Sequence, residues 1–319
     1  MTERLLFGCG HLVGGASQTQ ADLLVARCLD AGVRWFDTAP VYGLGTAEAA
    51  LASALRRDGR KALVSVKVGL PRPRQGILRS YLRAAKRLIS GRRPQDDHFP
   101  SPPHQSDPCL PRGRFDLHVI ARSFEETRRL LGSAVVINAL FLHEAYADNL
   151  TADAVEALRD RKARGEARDL GLANGCAYSE ALQALAPPDF LIQSAVPSSL
   201  FGHSGGHLTE RHVFHTVIKS FRWRCSVDVP FRSAVASSRE RFADLLGDEA
   251  DVVLSYLLLA HAAPKSRFIY ATTDVLHLDA FLRAMINVAR ENAAATIVDC
   301  FKSAYDAPLY GRTLTRKGS

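Results

Sequence analysis

The chain has 319 residues and a formal net charge of +8, with 47% hydrophobic and 23% charged residues, which is ordinary globular usage. No apolar run approaches the ~20 residues that a membrane-spanning helix needs, and the first residues lack the basic and apolar segments of a secretory signal. Because the six cysteines are scattered without a C-x-x-C pair, they are typical of reduced thiols in a cytoplasmic protein rather than of a zinc site or a disulfide scaffold.

Short apolar runs alternate with amphipathic stretches along the chain. The apolar runs predict strands at residues 5–7, 33–36, 62–66, 135–142, 168–172, 190–192 and 267–271. The amphipathic stretches predict helices at residues 19–31, 47–57, 124–131, 152–163, 179–185, 209–220, 251–261 and 276–289. These runs make seven strands, and we expect an eighth strand within residues 221–233.

This alternation predicts an α/β fold in which a parallel sheet is covered by helices. The strands are continuous apolar runs, as is required of strands that are buried on both faces. Eight units over this length favour a closed (β/α)8 TIM barrel forming a single domain, residues 1–319, over an open doubly-wound sheet. The early glycines also fail to fit the G-x-G-x-x-G fingerprint of the open sheet; they are Gly8, Gly10, Gly14 and Gly15.

Residues 71–114 break the rhythm of strands and helices. They contain eight prolines, a density that neither a helix nor an inner strand can accommodate. We therefore expect a long insertion after the third strand, at the carboxyl ends of the strands, where barrel active sites lie. A loop of this length is typical of a lid, a binding loop or a disordered segment, and a substrate-covering role is one of these alternatives.

Four polar residues stand at or just after the ends of consecutive predicted strands, where they would converge on the catalytic rim of a barrel. They are Asp37, Tyr42, Lys67 and His143. Because neighbouring strands lie roughly 4.8 Å apart, their side chains can reach one another. A lysine at the end of a buried strand also requires a counter-ion, which Asp37 can supply.

The types of these residues fit the reduction of a carbonyl group. The negative charge that develops on the carbonyl oxygen must be protonated, and Tyr42 is the candidate acid. A nearby ammonium such as Lys67 favours the phenolate, so we expect it to lower the tyrosine pKa from its reference value of about 10. His143 can donate a hydrogen bond to the carbonyl oxygen and orient it against Tyr42.

Several segments resemble the aldo-keto reductase family. The stretch WFDTAPVYGLGTAEAALASALR is similar to that family's signature, with aspartate opening D-T-A and tyrosine preceding glycine. VSVKVG resembles its lysine strand, FEETRRLLG with INALFLHE resembles its histidine strand, and ALRDRKARGEARDLGLAN resembles the segment that leads to its nicotinamide-binding asparagine. The similarity runs from about residue 5 to residue 193 and resumes from 251 to 289.

The resemblance implies that the four strand-end residues are the family's catalytic tetrad. It also implies a TIM barrel and NADPH as the cofactor, with Asn174 and Gln193 holding the nicotinamide carboxamide. A hydride would pass to the carbonyl carbon while the tyrosine protonates the oxygen. Gly10 allows a close approach of the cofactor in this interpretation, although a tight turn explains this glycine equally well.

The sequence departs from the family at the cofactor site. Ala173 replaces the usual serine, and no S-P-L loop is recognisable in residues 222–235. His277 falls where the family has the arginine that binds the 2′-phosphate, and Asp274 adds negative charge there. These departures favour NAD as the alternative to NADP, because histidine cannot make the bidentate phosphate contacts of arginine. Thr272 and Thr273 can still donate hydrogen bonds to a cofactor.

Three functions stay open on these residues. The first is an NAD(P)H-dependent oxidoreductase acting on an aldehyde, a ketone or the corresponding alcohol. The second is a cofactor-binding regulatory module, and the third is a non-redox acid–base enzyme on the same barrel. We expect a small-molecule partner and neither nucleic acid nor a membrane, since no nucleic-acid-binding motif accompanies the basic clusters. No metal site is expected at His203 and His207, because no carboxylate cluster accompanies them.

Overall fold

The computed structural model describes residues 2–12, 18–73, 112–132, 135–201 and 208–302. Most of the predicted 71–114 insertion, together with His203 and His207, lies outside these residues. The described strands form one closed barrel in chain order, with every neighbouring pair parallel and the first strand pairing with the last. The predicted (β/α)8 barrel is therefore confirmed.

The barrel consists of eight strands. They are β1 (Leu5–Gly8), β2 (Trp35–Asp37), β3 (Leu63–Val68), β4 (Val136–His143), β5 (Asp169–Ala177), β6 (Phe190–Ala195), β7 (His212–His215) and β8 (Arg267–Tyr270). The described helices are α1 (Gln18–Asp30), α2 (Ala47–Asp58), α3 (Leu117–Leu131), α4 (Ala152–Ala163), α5 (Glu180–Leu185), α6 (Val217–Val227), α7 (Val229–Arg241), α8 (Ala243–Leu246), α9 (Ala250–Ala262), α10 (Val275–Arg290) and α11 (Ala294–Asp299). Within the described residues, no helix has the length and apolar character to span a membrane.

The seventh strand lies earlier in the chain than the sequence predicts. Residues 209–220 were expected to be helical and 221–233 to hold the strand, but β7 occupies His212–His215 and the later residues belong to α6 and α7. A four-residue strand is too short to show a period of its own beside the helix that follows it. Pro230 lies in the first turn of α7, where proline is tolerated, and Asp228 caps that helix.

Alternate residues of each strand point into the barrel or outward to the helices. The inner side chains form a small apolar layer that includes Trp35, Phe141 and Leu191. Moving two residues along each strand from this layer keeps a side chain on the inside of the barrel. Asp37, His143 and Gln193 follow these three residues by two positions, so the strand period places polar groups inside the barrel at its carboxyl end.

Gly171 gives a test of how tightly the inner layer is packed. A Cβ atom at Gly171 would lie 2.4 Å from two ring atoms of Phe141 and 2.8 Å from the Leu191 carbonyl oxygen. We expect Gly171→Ala to lower the free energy of unfolding by about 1–3 kcal/mol, because the ring and the strand must shift. Urea denaturation followed by circular dichroism measures this difference.

Gly10 supplies a matched control, since a Cβ atom there would meet no atom of the described residues within 4 Å apart from its chain neighbours. Gly10→Ala should leave the free energy of unfolding unchanged to within about 0.5 kcal/mol. Equal stabilities for the two variants would show that the barrel interior has room that the packing does not indicate.

Candidate active site

An ion pair between Lys67 and Asp37 lies at the centre of the carboxyl end of the barrel. Lys67 Nζ is 2.7 and 2.6 Å from the two carboxylate oxygens of Asp37 and 3.3 Å from the Thr38 carbonyl oxygen. Gln193 Nε2 donates to Asp37 Oδ2 at 3.3 Å. Both charged side chains are nearly inaccessible to solvent, at 1% and 3% exposure. The pair is therefore desolvated, and its charges are compensated by each other and by neighbouring polar groups.

The carboxylate keeps Lys67 in its charged form. Burial by itself lowers the pKa of Lys67, but the charges and hydrogen bonds of Asp37 and Tyr42 outweigh burial, so the net pKa lies above its ordinary value. The ammonium is consequently present throughout the neutral and mildly alkaline range.

Tyr42 is carried by a tight turn that follows β2. Three consecutive residues of this turn, Gly43, Leu44 and Gly45, have φ values of 55°, 59° and 88°. A Cβ atom at Gly43 would lie 2.0 Å from the Leu12 carbonyl oxygen, so the turn packs directly against the loop after β1. Left-handed backbone at a non-glycine residue such as Leu44 is uncommon and is held by its surroundings.

Arg72 fastens this turn to the helices around it. Its Nη1 donates to the Gly45 carbonyl oxygen at 2.7 Å, its Nη2 donates to the Glu48 carboxylate, and its Nε lies 3.3 Å from Glu126 Oε1. Glu48 is fully buried and also accepts from the Thr127 hydroxyl at 2.8 Å. The turn that carries Tyr42 is therefore linked to both α2 and α3.

The structure brings the four predicted catalytic residues together. Lys67 Nζ lies 4.8 Å from the centroid of the Tyr42 ring. The rings of Tyr42 and His143 meet edge to face, with centroids 6.0 Å apart. Part of the Tyr42 surface remains exposed, whereas Asp37, Lys67 and His143 are buried. A small molecule approaching the barrel mouth would thus meet a phenol and an imidazole backed by an ammonium.

Burial decides the protonation of the phenol and the imidazole. It raises the pKa of Tyr42, and although Lys67 opposes this effect as expected, the net pKa lies above the ordinary value. The expectation of a phenol made more acidic by its ammonium therefore differs from the structure, because desolvation outweighs the charge. Burial also holds the pKa of His143 well below its usual range, helped by Lys67 and His215. Both groups are neutral at pH 7.

Two side-chain oxygens beside the pair have no hydrogen-bond donor in the described structure. Asn174 Nδ2 donates to the Ala145 carbonyl oxygen and Gln193 Nε2 donates to Asp37, which fixes the orientation of both amides. Asn174 Oδ1 and Gln193 Oε1 are consequently buried acceptors without a partner among these residues. The amide hydrogens of a carboxamide group have the complementary chemistry, so both residues fit the role that the resemblance implies.

The other predicted cofactor residues lie after β8 and β1, which are adjacent strands. Asp274 Oδ1 caps α10 by accepting from the Leu276 amide at 2.8 Å, and the Thr272 hydroxyl accepts from the Asp274 amide at 3.1 Å. His277 Nδ1 lies 2.6 Å from Glu249 Oε1, and its Nε2 lies 3.8 Å from Asp274 Oδ2. Two carboxylates therefore surround the imidazole.

Two further predicted cofactor residues, Thr273 and Gly10, lie in the same two segments. The Thr273 carbonyl oxygen accepts a hydrogen bond from Gln20 Nε2. Gly10 lies in the turn Cys9–His11, next to open space. Residues 222–235 do not follow β7 directly, because β7 ends at His215 and only Thr216 separates it from α6. The segment in which an S-P-L loop was not recognisable therefore belongs to α6 and α7.

Sequence reasoning missed two residues of the site. His215 Nε2 lies 2.8 Å from the Asn174 carbonyl oxygen; since a carbonyl can only accept, this nitrogen carries the proton. Burial lowers the pKa of His215, which favours the neutral form. Glu144, which follows His143, is buried and turned toward the site. His215 ends the short strand His212–His215, whose two central residues are apolar and are the one signal for it in the sequence. No sequence pattern indicates the orientation of Glu144.

Comparisons with known proteins find relatives of this chain. The chain is similar to pyridoxal 4-dehydrogenase of Microbacterium luteolum, with 42% identity over 60 residues that span 19% of this chain and 18% of that protein. It is 31% identical to D-threo-aldose 1-dehydrogenase of a Pseudomonas species over 54% of this chain and 49% of that protein. The matched segments thus span about half, or less, of the length of these curated relatives.

A solved structure, that of glycerol dehydrogenase from Gluconobacter oxydans, has a similar fold. The TM-score is 0.60 at 14% sequence identity, with 97% of this chain and 95% of that chain covered. At this identity the likeness concerns the fold alone. A sequence model of the Aldo/keto reductase family matches residues 4–192, which is more than half of the chain. With the closed parallel barrel, this match shows that the protein belongs to the Aldo/keto reductase family.

Proposed function

We propose that the protein is an NAD(P)-dependent oxidoreductase that interconverts a carbonyl compound and its alcohol, with Tyr42 exchanging the proton. One observation carries this proposal: a neutral phenol and a neutral imidazole meet above a buried ammonium at the barrel mouth. A group that must protonate a developing alkoxide has to hold its proton at neutral pH and lose it when the alkoxide forms. The environment of Tyr42 supports both requirements.

In this mechanism the substrate oxygen lies between Tyr42 and His143. His143 donates a hydrogen bond that orients the carbonyl group, and Tyr42 transfers its proton to the oxygen as negative charge develops there. Lys67 stabilises the resulting phenolate, and Asp37 keeps Lys67 charged. A bound reduced nicotinamide would supply the hydride, with its electron pair, to the carbonyl carbon. Oxidation of an alcohol is the reverse, with phenolate Tyr42 as the base.

Asn174 and Gln193 are the residues proposed to hold the nicotinamide. Their partnerless oxygens would accept from the carboxamide amino group and fix the face of the ring that is turned to the substrate. Ala173 offers no hydroxyl for a further bond. His215, through its bond to the Asn174 carbonyl oxygen, would hold this part of the site in place.

The charges around His277 support NAD rather than NADP. A 2′-phosphate carries nearly two negative charges at pH 7, and the region proposed to receive it contains Glu249 and Asp274 beside the histidine. A carboxylate can instead accept a hydrogen bond from a ribose 2′-hydroxyl. The resemblance alone implies NADP, but these contacts lead us to propose tighter binding of NAD(H).

The small-molecule substrate is proposed to be a hydroxylated carbonyl compound or the corresponding alcohol. The D-threo-aldose 1-dehydrogenase of a Pseudomonas species, a relative at 31% identity over about half of its length, supports this substrate class by its name. The site itself is lined by groups that can exchange hydrogen bonds with hydroxyls, including His143, Glu144 and His215.

Tyr42→Phe tests the proposed proton transfer. We expect kcat to fall by about 10²- to 10⁴-fold, because the phenol is the group that supplies the proton. The measurement follows reduced-nicotinamide absorbance with a panel of aldehydes, ketones and alcohols, and a fluorescence titration checks that the variant still binds the cofactor. Cofactor binding without turnover of any substrate by the wild type would indicate a regulatory module. Product formed without consumption of the cofactor would indicate non-redox acid–base chemistry.

Replacing the ion pair tests the electrostatic role of Lys67. In the double variant Asp37→Asn/Lys67→Met the pKa of Tyr42 should rise further, because Lys67 is the largest influence lowering it. The rate of alcohol oxidation, which needs the phenolate, should then begin to rise at a higher pH than in the wild type. A pH profile of the residual activity measures this shift.

The exposed Lys219 provides the control, since Lys219→Met should leave the profile unchanged. The single variant Lys67→Met should be less stable than the double variant, because Asp37 is left buried and unpaired. An unchanged profile in the double variant would contradict the proposed coupling between Lys67 and Tyr42.

Glu249→Gln tests the choice of cofactor. We expect the dissociation constant of NADPH to fall severalfold while that of NADH changes less, because a negative charge is removed near the proposed 2′-position. His277→Arg should strengthen NADPH binding by about tenfold, through contacts with the phosphate. Fluorescence titration or calorimetry gives both constants without any turnover.

Glu291→Gln is the matched control for charge, because Glu291 lies at the opposite end of α10. It should alter neither constant. Tighter binding of NADPH than of NADH by the wild type would contradict the proposed preference.

A further inference from the structure

Glu144 occupies an unusual position on the barrel rim. It follows the last residue of β4, its φ is 58°, and it is only 7% exposed. Among described non-glycine residues, four have left-handed backbone, and Leu44, Glu144 and Thr216 of these follow strands at the carboxyl end of the barrel. Non-glycine residues held in this conformation are strained and concentrate at functional sites. The backbone of Glu144 is therefore maintained by the structure around it.

The turn after β4 fixes the Glu144 backbone. Its amide donates to the Ala173 carbonyl oxygen at 2.6 Å, and its own carbonyl oxygen accepts from Asn149 Nδ2 at 3.0 Å. The same Asn149 nitrogen also donates to the Gly113 carbonyl oxygen at 3.0 Å, and Asn149 Oδ1 accepts from the Tyr146 amide at 2.6 Å. The carboxylate is thus presented from a turn with little freedom to rearrange.

One oxygen of the Glu144 carboxylate is already hydrogen-bonded. Oε2 accepts from the Tyr146 hydroxyl at 2.5 Å and from the Gly175 amide at 3.1 Å. The guanidinium of Arg112 lies 4.6 Å from the Tyr146 ring centroid and holds that ring in turn. These contacts fix the plane of the carboxylate and leave Oε1 as its second acceptor.

Oε1 of Glu144 faces the reacting groups. It lies 4.0 Å from His143 Nε2, and no hydrogen bond reaches it from the residues that the structure describes. The Glu144 charge is also close enough to raise the pKa of Tyr42. The neighbouring ammonium of Lys67 is occupied by Asp37. This oxygen therefore remains available as an acceptor for a hydrogen-bond donor of a ligand bound at the barrel mouth.

We propose that Glu144 Oε1 accepts a hydrogen bond from a substrate hydroxyl next to the reacting carbonyl, so that the enzyme selects hydroxylated aldehydes and ketones. This inference rests on the proposed carbonyl reduction at Tyr42. When His143 orients the carbonyl group, a hydroxyl on the carbon next to the carbonyl carbon falls within reach of Glu144. The same negative charge disfavours keto acids, whose carboxylate would lie against Glu144. Glu144 is a specificity-determining residue in this arrangement.

The test compares two three-carbon aldehydes that differ in hydroxyl groups, glyceraldehyde and propanal. In Glu144→Leu we expect kcat/KM for glyceraldehyde to fall by about 10- to 100-fold, the range of a hydrogen bond to a charged group. For propanal, which has no hydroxyl to bind, the fall should be at least about tenfold smaller, because an effect of the Glu144 charge on Tyr42 acts on both aldehydes and cancels in the ratio of their kcat/KM values. Glu144→Gln, which keeps the shape and an acceptor oxygen, should lie between the wild type and Glu144→Leu.

Asp153→Asn is the matched control for charge, because Asp153 lies in the first turn of α4, is exposed and carries the same charge. It should leave the ratio of the two kcat/KM values unchanged. Propanal turnover and circular dichroism report whether each variant is folded, and Glu144→Gln provides the test if Glu144→Leu does not fold.

The possible outcomes separate this inference from the proposed function. Selective loss of glyceraldehyde activity supports the role of Glu144. An equal loss for both aldehydes would show that Glu144 acts through His143 or the fold, which overturns the hydroxyl contact while carbonyl reduction stands. If the wild type reduces neither these nor any other carbonyl compound with either cofactor, the proposed function fails and the inference fails with it.

Discussion

The ion pair between Lys67 and Asp37 is the interaction around which the site is arranged. A charged ammonium inside a protein is strongly unfavourable unless it is paired and hydrogen-bonded. Here the two carboxylate oxygens of Asp37 and the Thr38 carbonyl oxygen accept from Lys67, and Gln193 Nε2 donates to the Asp37 carboxylate. Asp37 lies on β2, Lys67 on β3 and Gln193 on β6, and the closed barrel brings the ends of these three strands to one point. The barrel and the charge at its mouth are therefore interdependent.

The buried ammonium of Lys67 acts on the pKa of Tyr42 beside it. Burial makes the phenolate unfavourable and keeps the proton on the tyrosine, while Lys67 limits the energetic cost of releasing it. A surface tyrosine would lack the first effect, and a buried tyrosine without a cation would lack the second. The turn that holds Tyr42 in place consists of left-handed residues fastened by Arg72. The strained backbone of this turn thus holds Tyr42 in a fixed position beside the ammonium.

The parts of the site differ in how closely they follow the family. The pair, the tyrosine and the histidine lie on strands or on turns joined directly to them, and the family match covers this region. The groups proposed to contact the cofactor ribose and the substrate hydroxyl lie outside the strands, in the turn after β4 and at the N-terminal ends of α9 and α10, where Glu144, Glu249 and His277 give this chain its own charge distribution. Barrel enzymes commonly vary in this way, since the scaffold positions the reaction and the loops select its reactants.

The sequence by itself determined the barrel and the convergence of Asp37, Lys67 and His143, because buried parallel strands are continuous apolar runs and their ends share one rim. It misplaced the seventh strand, since His212–His215 is too short to show a period beside the longer helical pattern of α6. Only the tertiary structure decided the net pKa of Tyr42 and the inward orientation of Glu144. The first depends on desolvation by residues far apart in the chain, and the second depends on hydrogen bonds from Tyr146 and the distant Gly175. Neither leaves a local pattern in a sequence.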